Sequence, residues 1–498
     1  IPLKPIGVVS SGSTVLYAPI QVFKASEADA REESLVVIKD SSRGAEYLGV
    51  LRNLRMNDPL LIHSQRSSII DNPELARMGV EVVFENSYVR ILGEVVNGAV
   101  QPASRPPTPR SIVELVEDPG DVSLRLGDGL VVGRHKYSGL EIPMDPRALN
   151  YHIGVVGATG TGKSRLVLAL INEVLAKTDW RIIVFDHSGL DYAPFSRERV
   201  VDGSSLLLDA EVISSYIGRL SGLGEDDEFI YLGVLAHVLL NSRYAAPQQQ
   251  PRGLGDHFDV VKELLREVDR VGDLEDVLKN VKWSVEGVAR AVSDIITRLR
   301  ERDVERARMK YEAKLKLYCR KYVEALNERR LGFKELLKQA WEQRLIVVDL
   351  SRIEQEEKRF TVSSVLKKLW DMVDERREPV NTLVVIDEAH NYACYNACSP
   401  SSDLIERSAR EGRKWGIGLV LVSQRIIDFS PDTRNNINTF FFSRLQTPGD
   451  LQNLQGVLDL GGIGYENLAI LGQKEFFFAG LGNPLKYPVL LQVKQVGG

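Results

Sequence analysis

The feature that most constrains this chain is the run GATGTGKS at residues 157–164. It fits the phosphate-binding pattern G-x-x-x-x-G-K-[ST] at every fixed position. The apolar stretch 153–156 before it predicts a buried strand, and the Leu- and Val-rich stretch 166–176 after it predicts a helix. Strand, loop and helix in this order are the context such a loop needs, and they disfavour a glycine-rich turn that binds nothing. The sequence therefore predicts an α/β fold built around a P-loop.

The residues of this loop have distinct physical roles. Its glycines let backbone N–H groups point at phosphate oxygens, and the helix N-terminus adds a partial positive charge. We expect Lys163 to reach the β- and γ-phosphates of ATP and the Ser164 hydroxyl to hold Mg²⁺. The residues expected to contact the nucleotide are Gly157, Ala158, Thr159, Gly160, Thr161, Gly162, Lys163, Ser164 and Arg165.

Length and composition bound the class of protein. A chain of 498 residues is too long for one core, so we expect about two or three domains. A net charge of −5 does not indicate a nucleic-acid binder, but a basic channel inside an acidic ring is compatible with it. Three cysteines argue against a disulfide framework and for a reducing interior. With no apolar run near the ~20 residues that span a bilayer, and no signal peptide, we expect a cytoplasmic protein.

The N-terminal part predicts a small β-barrel. Short runs rich in apolar and β-branched residues alternate with polar or glycine-containing segments over residues 7–96. The predicted strands lie at 15–17, 35–38, 46–51, 80–84 and 89–95. No catalytic constellation occurs there, so we expect an assembly or docking module. The proline-rich run QPASRPPTPR at 101–110 predicts a stiff linker, which places the first domain at residues 1–110.

Two apolar strands end in carboxylates. The strand predicted at 383–386 is followed by Asp387 and Glu388, the partner that a P-loop requires. Asp387 would hold the water shell of Mg²⁺, and Glu388 would polarise the water that attacks the γ-phosphate. The strand predicted at 181–186 ends in Asp186, next to His187. Either residue could contact Mg²⁺, water or a neighbouring subunit, or Asp186 could simply cap its turn.

A basic helix and a polar strand end follow. The helix predicted at 402–415 carries Arg407, Arg410 and Arg413, and the next predicted strand, 418–423, is followed directly by Gln424. A polar residue there can sense the γ-phosphate, and an arginine before it can act as a finger in the next subunit's site. The alternative for each arginine is a solvated basic helix face.

The remaining segments complete the domain plan. Residues 111–209 and 341–498 are expected to form the α/β core, ending in strands at 475–480 and 487–493, the last of which could brace a neighbouring protomer. Charged sequence with helical periodicity predicts a helical insertion at 210–340, with a loop at 248–253. Its Arg and Lys residues are mixed with Glu, which favours a solvated face over a DNA-binding stripe. Cys394, Cys398 and His390 are too few for structural zinc, which normally has four ligands.

Taken in order, these motifs resemble the HerA family of DNA translocases, within the HerA–FtsK superfamily. The more specific part of the resemblance is the run REGRKWG at 410–416 before SQR at 423–425, because the P-loop alone is shared by many ATPases. The resemblance implies a RecA-like core, a HAS-type N-terminal barrel, a homohexameric ring and ATP-driven movement along double-stranded DNA. It also implies partnership with a NurA-like nuclease, docked on the barrel, in DNA end resection for double-strand break repair.

The resemblance also implies roles for single residues. Nucleotide and catalytic roles fall to Lys163, Ser164, Asp387 and Glu388, with Arg413 as the finger that acts in trans and Gln424 as the sensor. The run 186–192 departs from the family's shorter Asp-x-His-Gly-Glu-Tyr-like run, with Asp191 in place of the glutamate.

Two other functions fit the same motifs. One is an ATP-dependent ring scaffold that positions a nuclease, and the other is a secretion-type coupling ATPase, a class that usually carries membrane segments. Intact Glu388 and Arg413 favour real turnover over scaffolding.

Overall fold

The computed structural model describes residues 3–57, 72, 74, 83–85, 87–241, 262, 264, 266–269, 274–395 and 397–495. Part of the strand predicted at 80–84, and the whole loop predicted at 248–253, lie outside these residues. Contacts divide the chain into two units. The first comprises residues 1–180, 385–390 and 409–498, and the second comprises residues 181–384 and 391–408.

The elements are numbered in chain order. The strands are β1 Lys4–Val9, β2 Tyr17–Val22, β3 Leu35–Asp40, β4 Ala45–Arg52, β5 Arg55–Asn57, β6 Val83–Glu85, β7 Tyr88–Val96, β8 Ala99–Gln101, β9 Ile112–Leu115, β10 Gly133–His135, β11 Ile153–Val156, β12 Arg181–Asp186, β13 Val200–Asp202, β14 Leu206–Leu207, β15 Leu331–Gly332, β16 Leu345–Asp349, β17 Thr382–Ile386, β18 Ile417–Ser423, β19 Thr439–Phe442, β20 Glu475–Gly480 and β21 Val489–Val493. The α-helices are α1 Lys163–Lys177, α2 Ala210–Ser221, α3 Glu228–Asn241, α4 Leu274–Leu278, α5 Val285–Leu299, α6 Val304–Tyr318, α7 Arg320–Ala325, α8 Phe333–Gln343, α9 Gln355–Arg376, α10 Ser401–Glu411, α11 Pro431–Asn436, α12 Pro448–Val457 and α13 Tyr465–Ala469.

The first unit begins with a closed antiparallel barrel of six strands. Their order is β2-β1-β9-β3-β4-β7, and pairing of β2 with β7 closes the barrel. Alternate side chains of these strands point inward, among them Val36 and Ile38 of β3, and form a continuous apolar core. The predicted small barrel is confirmed. Strand β9 pairs with both β1 and β3, so the proline-rich run 101–110 connects two strands of this sheet rather than leading out of the barrel.

The first unit also holds the strands around the predicted P-loop. They lie in the order β10-β21-β20-β19-β11-β18, with β11 parallel to both of its neighbours, and helix α1 packs on this sheet. Strand β21 pairs with β20 on one side and β10 on the other. Because both of its edges are used within the chain, β21 is not a protruding strand free to brace a neighbour.

The second unit combines a small parallel sheet with helices. Strand β16 lies between β12 and β13 and is parallel to both. Most described residues between Ala210 and Gln343 are helical, in agreement with the helical periodicity of this segment. In α5 the side chain of Ser284 accepts a hydrogen bond from Gly287 N at 3.1 Å and caps the helix, whose apolar face packs on α3 and α6.

Two of the three cysteines form a disulfide, Cys394–Cys398, in the second unit. The sequence-based argument against disulfides, drawn from the low number of cysteines, does not hold for this pair. A turn brings their Cα atoms to 5.4 Å, within the range a disulfide spans. A zinc site is excluded while they are bonded, since zinc binds thiolates. Cys319 is free and buried.

A buried ion pair fastens the barrel to the rest of the first unit. Arg52 and Glu33, both fully buried, are joined by two hydrogen bonds of 2.9 and 3.1 Å. The same guanidinium donates to the carbonyl oxygens of Gly461 and Pro488, which belong to the segment after β19. Asn467 of α13 donates to Glu33 at 3.2 Å.

Candidate nucleotide-binding site

The P-loop has the expected backbone geometry. It starts at the end of β11, and α1 begins at Lys163. Gly160 and Gly162 have φ angles of +78° and +97°, a region that favours glycine. A Cβ atom at Gly162 would lie 3.3 Å from the backbone of Lys474, so no side chain fits there without a shift. Neighbouring strand ends hold the loop, because Ala158 N donates to Arg444 O at 2.7 Å and Lys474 N donates to Thr161 O at 2.8 Å.

The lysine of the loop lies over it. Lys163 Nζ donates to Gly157 O at 2.9 Å and Ala158 O at 3.3 Å. Its charge therefore lies at the mouth of the loop, where phosphates are expected. Ser164 follows in the first turn of α1, whose N-terminus carries partial positive charge.

The acidic residues that follow β17 lie close to Gln424, the predicted sensor. Asp387 is buried directly after β17, and Glu388 follows with φ +47°, a left-handed backbone that non-glycine residues adopt at a cost. Gln424 Nε2 donates to Glu388 Oε1 at 3.4 Å. Gln446 Nε2 in turn donates to Gln424 Oε1 at 3.3 Å. Glu388 and Gln424, two predicted site residues that lie 36 positions apart in the sequence, are thus joined by a hydrogen bond.

His390 is a further member of this cluster. Its Nδ1 lies 3.3 Å from Glu388 Oε2 and 3.5 Å from Ser423 Oγ. The sequence indicates His390 only as a candidate zinc ligand, and it does not indicate Gln446. The position of His390, two residues after Glu388, is a signal that could have found it, whereas nothing in the sequence around Gln446 indicates its contact.

Asp186 builds a turn in the second unit. Its Oδ1 accepts a hydrogen bond from Gly189 N at 2.9 Å, and its Oδ2 accepts from Tyr192 N at 2.9 Å and Ala193 N at 3.0 Å. Three backbone donors on a fully buried carboxylate favour the turn-capping role over the magnesium role. Asp191 Oδ2 accepts from Ser188 Oγ at 3.1 Å within the same turn.

His187 lies beside this turn. Its Nδ1 is 2.7 Å from the hydroxyl of Tyr392, and its backbone carbonyl accepts from Lys358 Nζ at 3.1 Å. These contacts hold the strand end within the second unit.

The three candidate finger arginines have different surroundings. Arg407 stacks on the ring of Trp370, with Cζ 4.1 Å from the ring centroid, in the second unit. In the first unit, Arg410 lies 3.9 Å from Asp432, and exposed Arg413 stacks on Tyr151, with Cζ 4.1 Å from the ring centroid.

The residues present fit a magnesium nucleotide. Ser164 and Asp387 supply the hard oxygen donors that Mg²⁺ prefers, and Lys163 supplies a phosphate-binding cation. The glycines leave a cradle that side chains would fill, since a Cβ at Gly157 would lie 2.9 Å from Thr161 Oγ1. A P-loop between a parallel strand and a helix, followed along the chain by a strand that ends in Asp-Glu, defines the class of P-loop ATPases.

Within this class, the family model described as "Helicase HerA, central domain" matches residues 130–223. This match agrees with the resemblance to the HerA family seen in the sequence. The chain is an ATP-hydrolysing enzyme.

Relatives align with most of the chain. A probable helicase of Methanocaldococcus jannaschii is 26% identical and covers 86% of this chain and 84% of its own length. The DNA double-strand break repair helicase HerA of Sulfolobus acidocaldarius is 22% identical, over 91% of this chain and 87% of the relative. The protein of the same name from Pyrococcus furiosus is 21% identical, over 92% and 86%.

Among solved structures, VirB4 of Thermoanaerobacter pseudethanolicus is 14% identical, with a TM-score of 0.47, and the match covers 74% of this chain and 97% of that one. Within the described residues, every helix is too short or too polar to cross a membrane.

Proposed function

We propose that this protein is an ATP-driven translocase that moves along double-stranded DNA as a homohexameric ring. It works with a NurA-like nuclease, docked on the N-terminal barrel, in DNA end resection for double-strand break repair. The proposal is supported by relatives that are named DNA double-strand break repair helicases. The observation that carries the chemical part is the contact between Glu388 and Gln424, which joins the proposed base to the proposed sensor.

The chain's own residues carry the proposed chemistry. Lys163 moves from the carbonyl oxygens of its loop to the β- and γ-phosphates. Ser164 and Asp387 would hold Mg²⁺, which would supply positive charge against the phosphates. Glu388 orients the attacking water and accepts its proton.

Gln424 couples this chemistry to the rest of the protein. Its side chain contacts Glu388 through Nε2 and Gln446 through Oε1, so a bound γ-phosphate would compete for these hydrogen bonds. Release of either partner moves a strand-end side chain and is the proposed signal for loop movement along DNA.

Arg413 is the proposed finger in the next subunit's site. It is exposed in the short 3-10 helix Gly412–Trp415 of the first unit. Such an arginine contributes roughly 10³–10⁵ to the rate of phosphoryl transfer.

The first test is steady-state ATP hydrolysis with and without linear duplex DNA, for the wild type and for Glu388→Gln. We expect strong stimulation by DNA of any sequence and loss of hydrolysis by more than about a hundredfold in the variant, which still binds ATP. Hydrolysis indifferent to DNA would contradict the translocase and favour a coupling ATPase. With a nuclease present, resection that survives Glu388→Gln would favour the scaffold.

The trans role of Arg413 has its own test. Arg413→Ala and Glu388→Gln are each expected to keep only a small residual rate of ATP hydrolysis. When the two are mixed, some interfaces pair an intact Arg413 with an intact Glu388, so hydrolysis should return. A mixture no more active than its components would contradict a finger supplied by the neighbour.

A further inference from the structure

The side chain of Arg413 rests on an aromatic ring. Its Cζ lies 4.1 Å from the ring centroid of Tyr151, which ends the 3-10 helix Pro146–Tyr151. Tyr151 is half-buried and Arg413 is exposed, so the ring forms a floor and the guanidinium lies on its outer side. A guanidinium stacked in this way keeps its N–H groups available at the edge of its plane.

Hydrogen bonds hold the backbone that carries the Tyr151 ring. The carbonyl oxygen of Tyr151 accepts a hydrogen bond from Asn438 N at 3.1 Å. The next residue, His152, is buried, and its ring joins the two elements that flank Arg413. Its Nε2 lies 3.0 Å from Ala409 O in α10, and its Nδ1 accepts from Leu419 N of β18 at 3.2 Å. The ring of Tyr151 is therefore carried by a backbone that cannot shift without breaking these bonds.

Arg407 and Arg413 each lie over an aromatic ring, at 4.1 Å from Trp370 and Tyr151, but Arg407 and Arg410 also have a recorded contact with a carboxylate. Arg407 lies 4.0 Å from Asp374, and Arg410 lies 3.9 Å from Asp432, so each has a carboxylate near its charge. The contact seen for Arg413 is with an aromatic face. An aromatic partner fixes a guanidinium in place without neutralising it, whereas a carboxylate would compete with a phosphate for the same N–H groups.

We propose that Tyr151 is a positioning residue that holds Arg413 extended toward the nucleotide of the neighbouring subunit. This inference rests on the proposed trans role of Arg413. Strand β11 begins two residues after Tyr151 and ends at the P-loop. The same short segment therefore connects a subunit's own nucleotide loop to the arginine that it presents to its neighbour.

The test compares Tyr151→Leu, Tyr151→Phe, Arg413→Ala and the double variant Tyr151→Leu/Arg413→Ala in DNA-stimulated ATP hydrolysis. Tyr151→Leu keeps an apolar side chain but removes the ring, so kcat should fall about two- to thirtyfold while KM for ATP stays unchanged. Tyr151→Phe keeps the ring and should retain wild-type kcat. In the Arg413→Ala background, Tyr151→Leu should cause no further loss, because the residue it positions is gone. Tyr465→Leu, a half-exposed tyrosine of α13, is the matched control and should have no effect.

Failure of this inference can be told from failure of the proposed function. If Arg413→Ala leaves kcat unchanged, the finger assignment is wrong, and this inference is overturned with it. If Arg413→Ala keeps only a small residual kcat but Tyr151→Leu has wild-type kcat, the positioning role alone is wrong. If Tyr151→Leu raises KM for ATP, or if it lowers kcat further in the Arg413→Ala background, Tyr151 has a general structural role instead.

Discussion

At the scale of single residues, two histidines, His135 and His152, are buried. In His152, Nδ1 accepts a hydrogen bond from Leu419 N, so Nε2 carries the proton that is donated to Ala409 O. Burial lowers the pKa of His152 from its ordinary value of 6.5 to about 4, and it lowers the pKa of His135 in the same way to about 4. Both rings are therefore neutral in the folded protein at physiological pH.

The pKa values of these two histidines predict how stability depends on pH. Between pH 6.5 and about 4, the two histidines bind protons in the unfolded chain but stay neutral in the folded protein. The free energy of unfolding therefore falls as the pH is lowered through this window. Above pH 6.5 the two histidines are neutral in both states, so they do not lower the free energy of unfolding. Guanidinium unfolding at pH 7, 5.5 and 4.5 should show this loss in the wild type and a smaller loss in His135→Gln/His152→Gln. Parallel pH profiles for the two proteins would refute the assignment.

At the scale of elements, the 3-10 helix Gly412–Trp415 is packed tightly against the strand that follows it. A Cβ atom at Gly412 would lie 2.6 Å from the carbonyl oxygen of Ile417, and backbone cannot give way as a side-chain end can. The element that carries Arg413 therefore has its position set by the absence of a side chain at Gly412.

We expect Gly412→Ala to displace this turn and, with it, the proposed finger Arg413. On that proposal kcat falls about tenfold or more with little change in ATP affinity, because misplacing a catalytic group by about 1 Å is costly. The measurement is kcat alongside titration with a fluorescent ATP analogue. Gly456→Ala is the matched control, since its Cβ would meet no atom within 4 Å and it lies in α12. Gly456→Ala should leave kcat unchanged and should stabilise helix α12 slightly. Equal kcat for both variants would argue against the tight packing.

Sequence patterns predict some of these elements well and others poorly. The strands at 153–156 and 181–186 are continuous apolar runs between breakers, and their predicted bounds agree with the structure. Sequence patterns do not predict strand β9, because it is four residues long and follows a proline-rich run. The proposed roles of Lys163 and Glu388 follow from local motifs and stay predictions. The contacts of Gln446 with Gln424 and of Tyr151 with Arg413 join distant parts of the chain, so no local sequence pattern predicts them.

At the scale of the whole molecule, the buried pair Arg52–Glu33 joins the barrel to the α/β part of the first unit. Replacing Arg52 with Met would leave the Glu33 carboxylate buried without its cation and would free two backbone carbonyls, of Gly461 and Pro488. We expect a loss of about 3–5 kcal/mol in the free energy of unfolding of this unit, measured by guanidinium unfolding.

The control for this prediction is Arg147→Met. Arg147 pairs with Asp145 at 2.6 Å, but its side chain is 84% exposed, and exposed pairs contribute about 0–1 kcal/mol. If the two variants unfold at the same guanidinium concentration, the buried pair is not what holds the barrel in place.

The cysteines have a consequence for following this protein in motion. Two are bonded to each other, and burial raises the pKa of the third, Cys319, to about 12. Since the thiolate is the form that reacts with maleimides, the oxidised protein is inert toward thiol-directed dyes. A single cysteine in place of Met309, whose side chain is 60% exposed on α6, would then accept one fluorophore per subunit. The proposed travel along DNA could then be tested on a tethered duplex one molecule at a time, with the native cysteines retained and reductant left out of the buffer.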